Sequence, residues 1–161
     1  MDAGITFTEL LDYTEDETQH WKQWFAEHPD ALDRPCDIGK AGTARQLLAH
    51  IFATEVFFSG AVNDLPRVDW KQLPSGTLDE LFGMHDDAFR GLREFFSRAQ
   101  ARNWNEIRDL GFRDLKVSKR KMVAQGLLHG VNHRAQLATF LRQQGFDGLW
   151  VHDLILSKVM D

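Results

Sequence analysis

Residues 119–145, KRKMVAQGLLHGVNHRAQLATFLRQQG, decide how the chain is read. On a helical wheel, Met122, Leu137 and Phe140 fall within about 80° of His129, and His133 lies in the same sector. That periodicity predicts one long amphipathic helix over 119–144. Gly145 is placed to stop it, because glycine enters the left-handed cap conformation without a side-chain clash. Leu127, Leu128 and Val131 fall away from this stripe, so the helix is apolar on two sides and needs a second covering surface.

Working outward, three more segments carry the helical period. Phe7, Leu10, Leu11, Thr14, Thr18, Trp21 and Phe25 predict a helix over 7–27, opened by a capping box of Thr6 and Glu9. Pro29 and Pro35 then bracket an irregular connection. Leu47, His50, Ile51, Thr54, Phe57 and Phe58 predict a helix over 44–61, with Thr43 and Gln46 as a second capping box; Phe52 and Val56 lie off its main face. Residues 63–76, with Pro66, Pro74 and Gly76, read as a long loop. Thr77 and Glu80 open a third helix with Leu81, Phe82, His85, Phe89, Leu92, Phe96 and Ala99 on its apolar face, ending near Gln100. Residues 104–118, with Gly111 between two short alternating segments, predict a small β-hairpin. The tail from Phe146, with Trp150, Leu154, Ile155 and Val159, is expected to dock as a short turn or strand.

Four amphipathic helices with mostly polar connections argue for an all-α four-helix bundle, with a small β-hairpin before the last long helix. The long second connection and the hairpin allow a topology other than up-down-up-down. At 161 residues the expectation is one domain over 1–161. Hydrophobic residues at 43% and charged residues at 27% fit a globular chain rather than a disordered one. A net charge of −5 disfavours a general nucleic-acid binder, and no apolar run is long enough for a membrane span. A single cysteine, Cys36, points to a reducing compartment, and the acidic N-terminus does not resemble a signal peptide. The expected location is cytoplasmic.

His50, His129 and His133 carry the chemistry. Residues four apart share a helix face, so His129 and His133 can point at one centre. Seven histidines in 161 residues predict roughly 0.3 such pairs by chance, so the spacing alone is weak. The zinc-protease motif H-E-x-x-H is absent, because Gly130 and Val131 follow His129. Placement says more: all three histidines fall on apolar stripes expected to face the core, where polar partners are scarce. The ordinary alternative is a set of hydrogen-bonded core histidines. A shared cation satisfies three neutral imidazoles at once, and three protein ligands leave a fourth position open, as in catalytic rather than structural zinc sites.

LLAHIFATEVFF around His50 and LLHGVNHRAQLATFLRQQG around His129 and His133 resemble the two signature segments of the DinB/YfiT-like superfamily. The pattern H-x-x-x-H-R-x-Q-L-x-x-x-L-R-x-x-G matches at His129, His133, Arg134, Gln136, Leu137, Leu141, Arg142 and Gly145. Ala135 stands where the family often has glycine, a change that leaves ligation untouched. The resemblance runs over nearly the whole chain in helix order. It implies a four-helix bundle with a divalent metal on His50, His129 and His133, commonly assembled as a homodimer. Nickel or zinc is the metal most associated with such sites, with iron or manganese as others. It also implies kinship with metal-dependent thiol transferases and isomerases that use a low-molecular-weight thiol.

Gln136 lies near the His129 face and is a candidate to touch a ligand or water. Glu55 is roughly 140° around its helix from His50, a packing or salt-bridge position rather than a fourth ligand. His85, on the apolar side of its helix, reads as a core or pocket histidine; His20, His28 and His152 read as peripheral. Lys116, Lys119, Arg120 and Lys121 read as a solvated charged turn, with anion binding as the alternative. No base neighbours Cys36, which argues against a nucleophilic role. The off-stripe apolar residues of the second and fourth helices favour a homodimer. The leading function is a metal-dependent enzyme with an open position for water or a small thiol: an S-transferase, hydrolase or isomerase. The alternatives are a non-catalytic metal-binding stress or regulatory protein, and a purely structural bundle.

Overall fold

The computed structural model describes residues 4–98 and 103–160. Four long helices dominate: α1 (Phe7–Glu27), α2 (Ala44–Val62), α3 (Leu78–Ser97) and α4 (Lys119–Gln143). Two antiparallel hairpins accompany them, β1 (Pro35–Ile38) with β2 (Ala41–Thr43), and β3 (Ile107–Asp109) with β4 (Lys116–Ser118). The architecture is the expected four-helix bundle, with the expected hairpin running directly into α4.

The helix starts follow the chemistry of their caps. Thr6 and Glu9, and Thr77 and Glu80, form reciprocal capping boxes. At α2 the expected box does not close on Thr43. Thr43 Oγ1 accepts from the Gln46 amide, but the Gln46 side chain accepts from the amide of Gly42 at 2.7 Å, not that of Thr43. Thr43 also closes strand β2 opposite Pro35, which displaces the box by one residue. Helix α4 ends in a full Schellman motif. The Phe146 amide donates to the Leu141 carbonyl and the Gly145 amide to that of Arg142, with Gly145 at φ +81°. The third helix ends at Ser97 with Arg98 as its cap; the expected end near Gln100, and Ala99, lie outside the described residues. The β1–β2 hairpin replaces part of the irregular connection expected between α1 and α2. Its pairing is short and irregular, and its Gly39 turn has φ +63°.

The core has two apolar clusters at opposite ends of the bundle. One joins Trp21 and Phe25, Leu47 and Phe52, Leu81 and Phe82, and Leu137 and Leu141. The other joins Leu11, Phe58 and Val62, Phe89 and Phe95, and Met122 and Leu127. Following each helix from one cluster to the other gives the direction of its run. Helices α1 and α4 run one way and α2 and α3 the other, so the order is up-down-down-up. The long α2–α3 connection is the crossover this requires.

Helix α2 lies at the centre. Its Phe52 packs on Phe82 at 5.1 Å and on His85 at 5.6 Å between ring centroids. The covering surface expected from a second copy is therefore supplied by α3 for Phe52, and Leu127 is buried in the chain's own core. Leu128 and Val131 remain 58% and 44% exposed.

The tail docks along α1 through an irregular path with one 3₁₀ turn, Leu154–Leu156. Trp150 Nε1 donates to Glu17 at 2.8 Å, His152 Nδ1 meets the other Glu17 oxygen at 2.7 Å, and Tyr13 donates to the His152 carbonyl at 2.6 Å. His152 also stacks on Trp21. It is thus a structural anchor rather than a peripheral residue. His28 stacks on Trp24 at 4.2 Å, and His20 stays on the exposed side of α1, bonded to the Asp16 carbonyl. No helix among the described residues is long and apolar enough to cross a membrane.

Candidate metal centre

Helix α4 places His129 and His133 one turn apart on the side that faces α2, with ring centroids 4.4 Å apart. The antiparallel α2 brings His50 opposite them, 4.8 Å from the His129 ring and 5.0 Å from the His133 ring. One ring nitrogen of each lies within 4.8 Å of the others, so the three are positioned to bind a metal ion. Bonds of about 2.0–2.1 Å in a tetrahedral set would hold the nitrogens roughly 3.3 Å apart, which small ring rotations reach.

The donor chemistry fits a cation. His50 Nε2 and His129 Nε2 face each other at 3.0 Å. Two lone pairs repel at that distance, so a proton or a metal ion must lie between them. Burial lowers the His129 pKa to about 4, with the neighbouring His133 and His50 adding to the shift. Burial, then His133, also lowers that of His50. At neutral pH these two imidazoles are therefore uncharged, the form that ligates. His133 Nδ1 lies 2.7 Å from Gln136 Oε1. An amide oxygen only accepts, so Nδ1 carries the hydrogen and Nε2 is left for ligation. Gln136, a candidate to touch a ligand or water, thus meets a histidine of the cluster and orients its ring. His129 Nδ1 is buried without a hydrogen-bond partner among the described residues.

The histidines stand at the rim of the bundle rather than in its core. His50 is exposed, and His129 and His133 are half-buried. Their wheel positions lie at the edge of the apolar stripes, where the α2–α4 groove opens to solvent. The side away from the three imidazoles is therefore reachable by water or a small ligand.

Beneath this rim the four helices meet in a buried polar layer between the two apolar clusters. Arg134 Nη2 donates to Glu55 Oε1 at 2.8 Å and to Thr18 Oγ1 at 2.9 Å, and His85 Nδ1 lies 2.7 Å from Glu55 Oε2. Arg134, Glu55 and His85 are 5%, 3% and 1% exposed. Burial pushes the Glu55 carboxyl up, but the facing His85 and Arg134 and their hydrogen bonds outweigh it and hold it below the ordinary value. Glu55 is thus the salt-bridge residue expected, and His85 the core histidine. Arg134, in sequence one position of the H-x-x-x-H-R pattern, is buried beneath the site. No local signal marks the layer, since only packing brings one polar residue of each helix to the same level. Gly130 makes room for it, since a Cβ there would lie 2.4 Å from Arg134 Nη1.

Other candidates separate from the centre. Lys119 is buried and bonded to Asp64 and Glu106, each at 3.1 Å, whereas Lys116, Arg120 and Lys121 are exposed. Cys36 donates to the Ala41 carbonyl at 3.4 Å, and burial raises its pKa, keeping the thiol protonated. Trp70, in the loop after α2, has its ring 6.2 Å from that of His50 and 5.9 Å from that of Phe57. Nothing in its local sequence marked it as a neighbour of the site.

No curated protein matches the chain in sequence. The DinB family model matches residues 2–156, which takes in all four helices and every histidine of the cluster. With that match over nearly its full length, the chain belongs to the DinB family.

Proposed function

We propose that the protein is a metal-dependent enzyme that holds a divalent ion on His50, His129 and His133 and keeps one position open for water or a small thiol. The observation that carries this reading is the convergence of three imidazole nitrogens within 4.8 Å at a solvent-facing rim. An ion bound there supplies a Lewis acid, which lowers the pKa of a bound water or thiol toward neutrality. The chain's own contributions are ligand orientation by Gln136 and a fixed helix register beneath the site. Three imidazoles suit zinc and nickel best, and iron or manganese less well. Thiol transfer, hydrolysis and isomerisation all need such an open position. A single cysteine fits a reducing, cytoplasmic setting, and the raised pKa of Cys36 leaves the reacting thiol to come from outside the chain.

The test is cobalt substitution of untagged protein. Visible absorption of tetrahedral intensity is expected, with a new sulfur-to-cobalt charge-transfer band when a small thiol is added. A cobalt spectrum that no thiol or anion alters would leave the ion bound but inaccessible, against an enzymatic role.

We further propose a homodimer through the exposed face of α4. Leu128 and Val131 are its large apolar side chains left uncovered within one chain.

A further inference from the structure

We propose that the cavity between the second half of α2 and the β3–β4 hairpin is the substrate pocket of the histidine centre. It takes a small organic monocarboxylate with an apolar body, its carboxylate on Arg67 and its other end toward His50. The inference rests on the metal-centre reading given above. The cavity holds about 380 Å³, within the range of small-molecule sites. Val56, Phe57, Leu110 and Met122 give it apolar walls.

Its position follows from helix geometry. Phe57 is seven residues beyond His50 on α2, and Met122 is seven residues before His129 on α4. The two helices are antiparallel, so both steps run the same way along one groove, roughly 10 Å from the histidines. Trp70 bridges that interval, close to the rings of both His50 and Phe57.

Charge selects the ligand. Asp64 is paired with Arg108 and with Lys119, and Glu106 with the same two cations. Asp109 accepts from the Gly111 amide at 2.8 Å and belongs to the hairpin turn. Arg67 has no carboxylate partner among the described residues. Its guanidinium sits 5.8 Å from the Phe57 ring and 5.7 Å from the Phe112 ring, with a long 3.4 Å bond to the Gly111 carbonyl. A guanidinium held by aromatic faces keeps its donor edge free for a carboxylate, and the rings complete an apolar wall beside it. The nearby Asp109 charge argues against a dianion.

The experiment compares 4-phenylbutyrate with neutral 4-phenylbutanamide as probes, on cobalt-loaded wild type and Arg67→Gln, with cobalt content measured first. Affinity is read from tryptophan fluorescence, and proximity from broadening of the probe's ring protons by the cobalt ion. Wild type should bind the carboxylate more tightly than the amide. Arg67→Gln should weaken carboxylate binding about tenfold or more and leave the amide unchanged, as for loss of a charge-assisted hydrogen bond. The ring protons should broaden in both proteins. Equal affinity for the two probes, carboxylate binding indifferent to Arg67→Gln, no binding at millimolar probe, or no broadening by a cobalt ion that is present overturns the proposal. Protein that takes up no cobalt overturns the metal centre instead, and with it the pocket's link to the histidines; the carboxylate preference is still read from Arg67.

Discussion

Arg134 does more than its place in a sequence pattern suggests. It follows a histidine of the cluster, yet its side chain turns inward and joins α4 to Glu55 of α2 and Thr18 of α1. Glu55 in turn holds His85 of α3. One carboxylate and one guanidinium thus set the rotation of α2 against α4, and that rotation decides whether His50 faces its partners. Arg134→Met should destabilise the fold by about 3–5 kcal/mol in urea denaturation, because it strands a buried carboxylate. Adding Glu55→Leu should recover part of that loss; a single variant as stable as wild type would contradict the role. The same residue explains why Gly130 occupies a position that H-E-x-x-H proteins give to glutamate, since any side chain there would meet the guanidinium. His129 and His133 were legible as a pair because helical spacing puts them on one face, and His50 joined them through its apolar stripe and the family resemblance of both segments. The Arg134 layer was not legible, because its members lie on four different helices and only packing brings them to one level.

At the scale of elements, the helices were legible and their partners less so. Thr6, Thr77 and Gly145 marked three helix ends through chemistry that acts within a few residues. The β1–β2 hairpin was hidden because its strands are too short to show alternation. The tail gave apolar residues but no sign that Trp150 and His152 would converge on Glu17. Burial raises the Glu17 carboxyl, yet the bonds from His152 and Trp150 outweigh this and hold it below the ordinary carboxylate value. A carboxyl with a lowered folded pKa stabilises the fold above its unfolded value, and that contribution fades as pH falls through the folded one. Glu17→Gln should therefore be less stable than wild type at neutral pH. The gap should begin to narrow as pH falls below the unperturbed glutamate value of about 4.3 and vanish below the lower folded value, where the wild-type side chain is itself protonated. A gap independent of pH, followed by chemical denaturation, would remove Glu17 ionisation from the docking of the tail.

Over the whole molecule, an up-down-down-up bundle explains why a long loop follows α2 and why that loop reaches the histidines. The crossover runs the length of the bundle and lays Trp70 over the α2–α4 groove. The sequence permitted this topology without choosing it, because loop length alone does not order the helices. Of the apolar residues that called for a second copy, Phe52 and Leu127 are covered within the chain, and Leu128 and Val131 are left to carry it. Sedimentation should give twice the 18.5 kDa chain mass, and Leu128→Lys should reduce it to the single-chain value. A wild-type mass equal to one chain at every concentration would contradict the dimer.

The central claim is that three imidazoles from two antiparallel helices bind one metal ion. Its most direct test is elemental analysis of the untagged protein beside His50→Ala, His129→Ala and His133→Ala, each checked for wild-type helix content. The account predicts close to one divalent ion per wild-type chain and loss of stoichiometric metal in His129→Ala, with the other two variants also depleted. Wild-type occupancy retained in His129→Ala, or a folded wild-type protein that takes up no zinc or nickel, would contradict it.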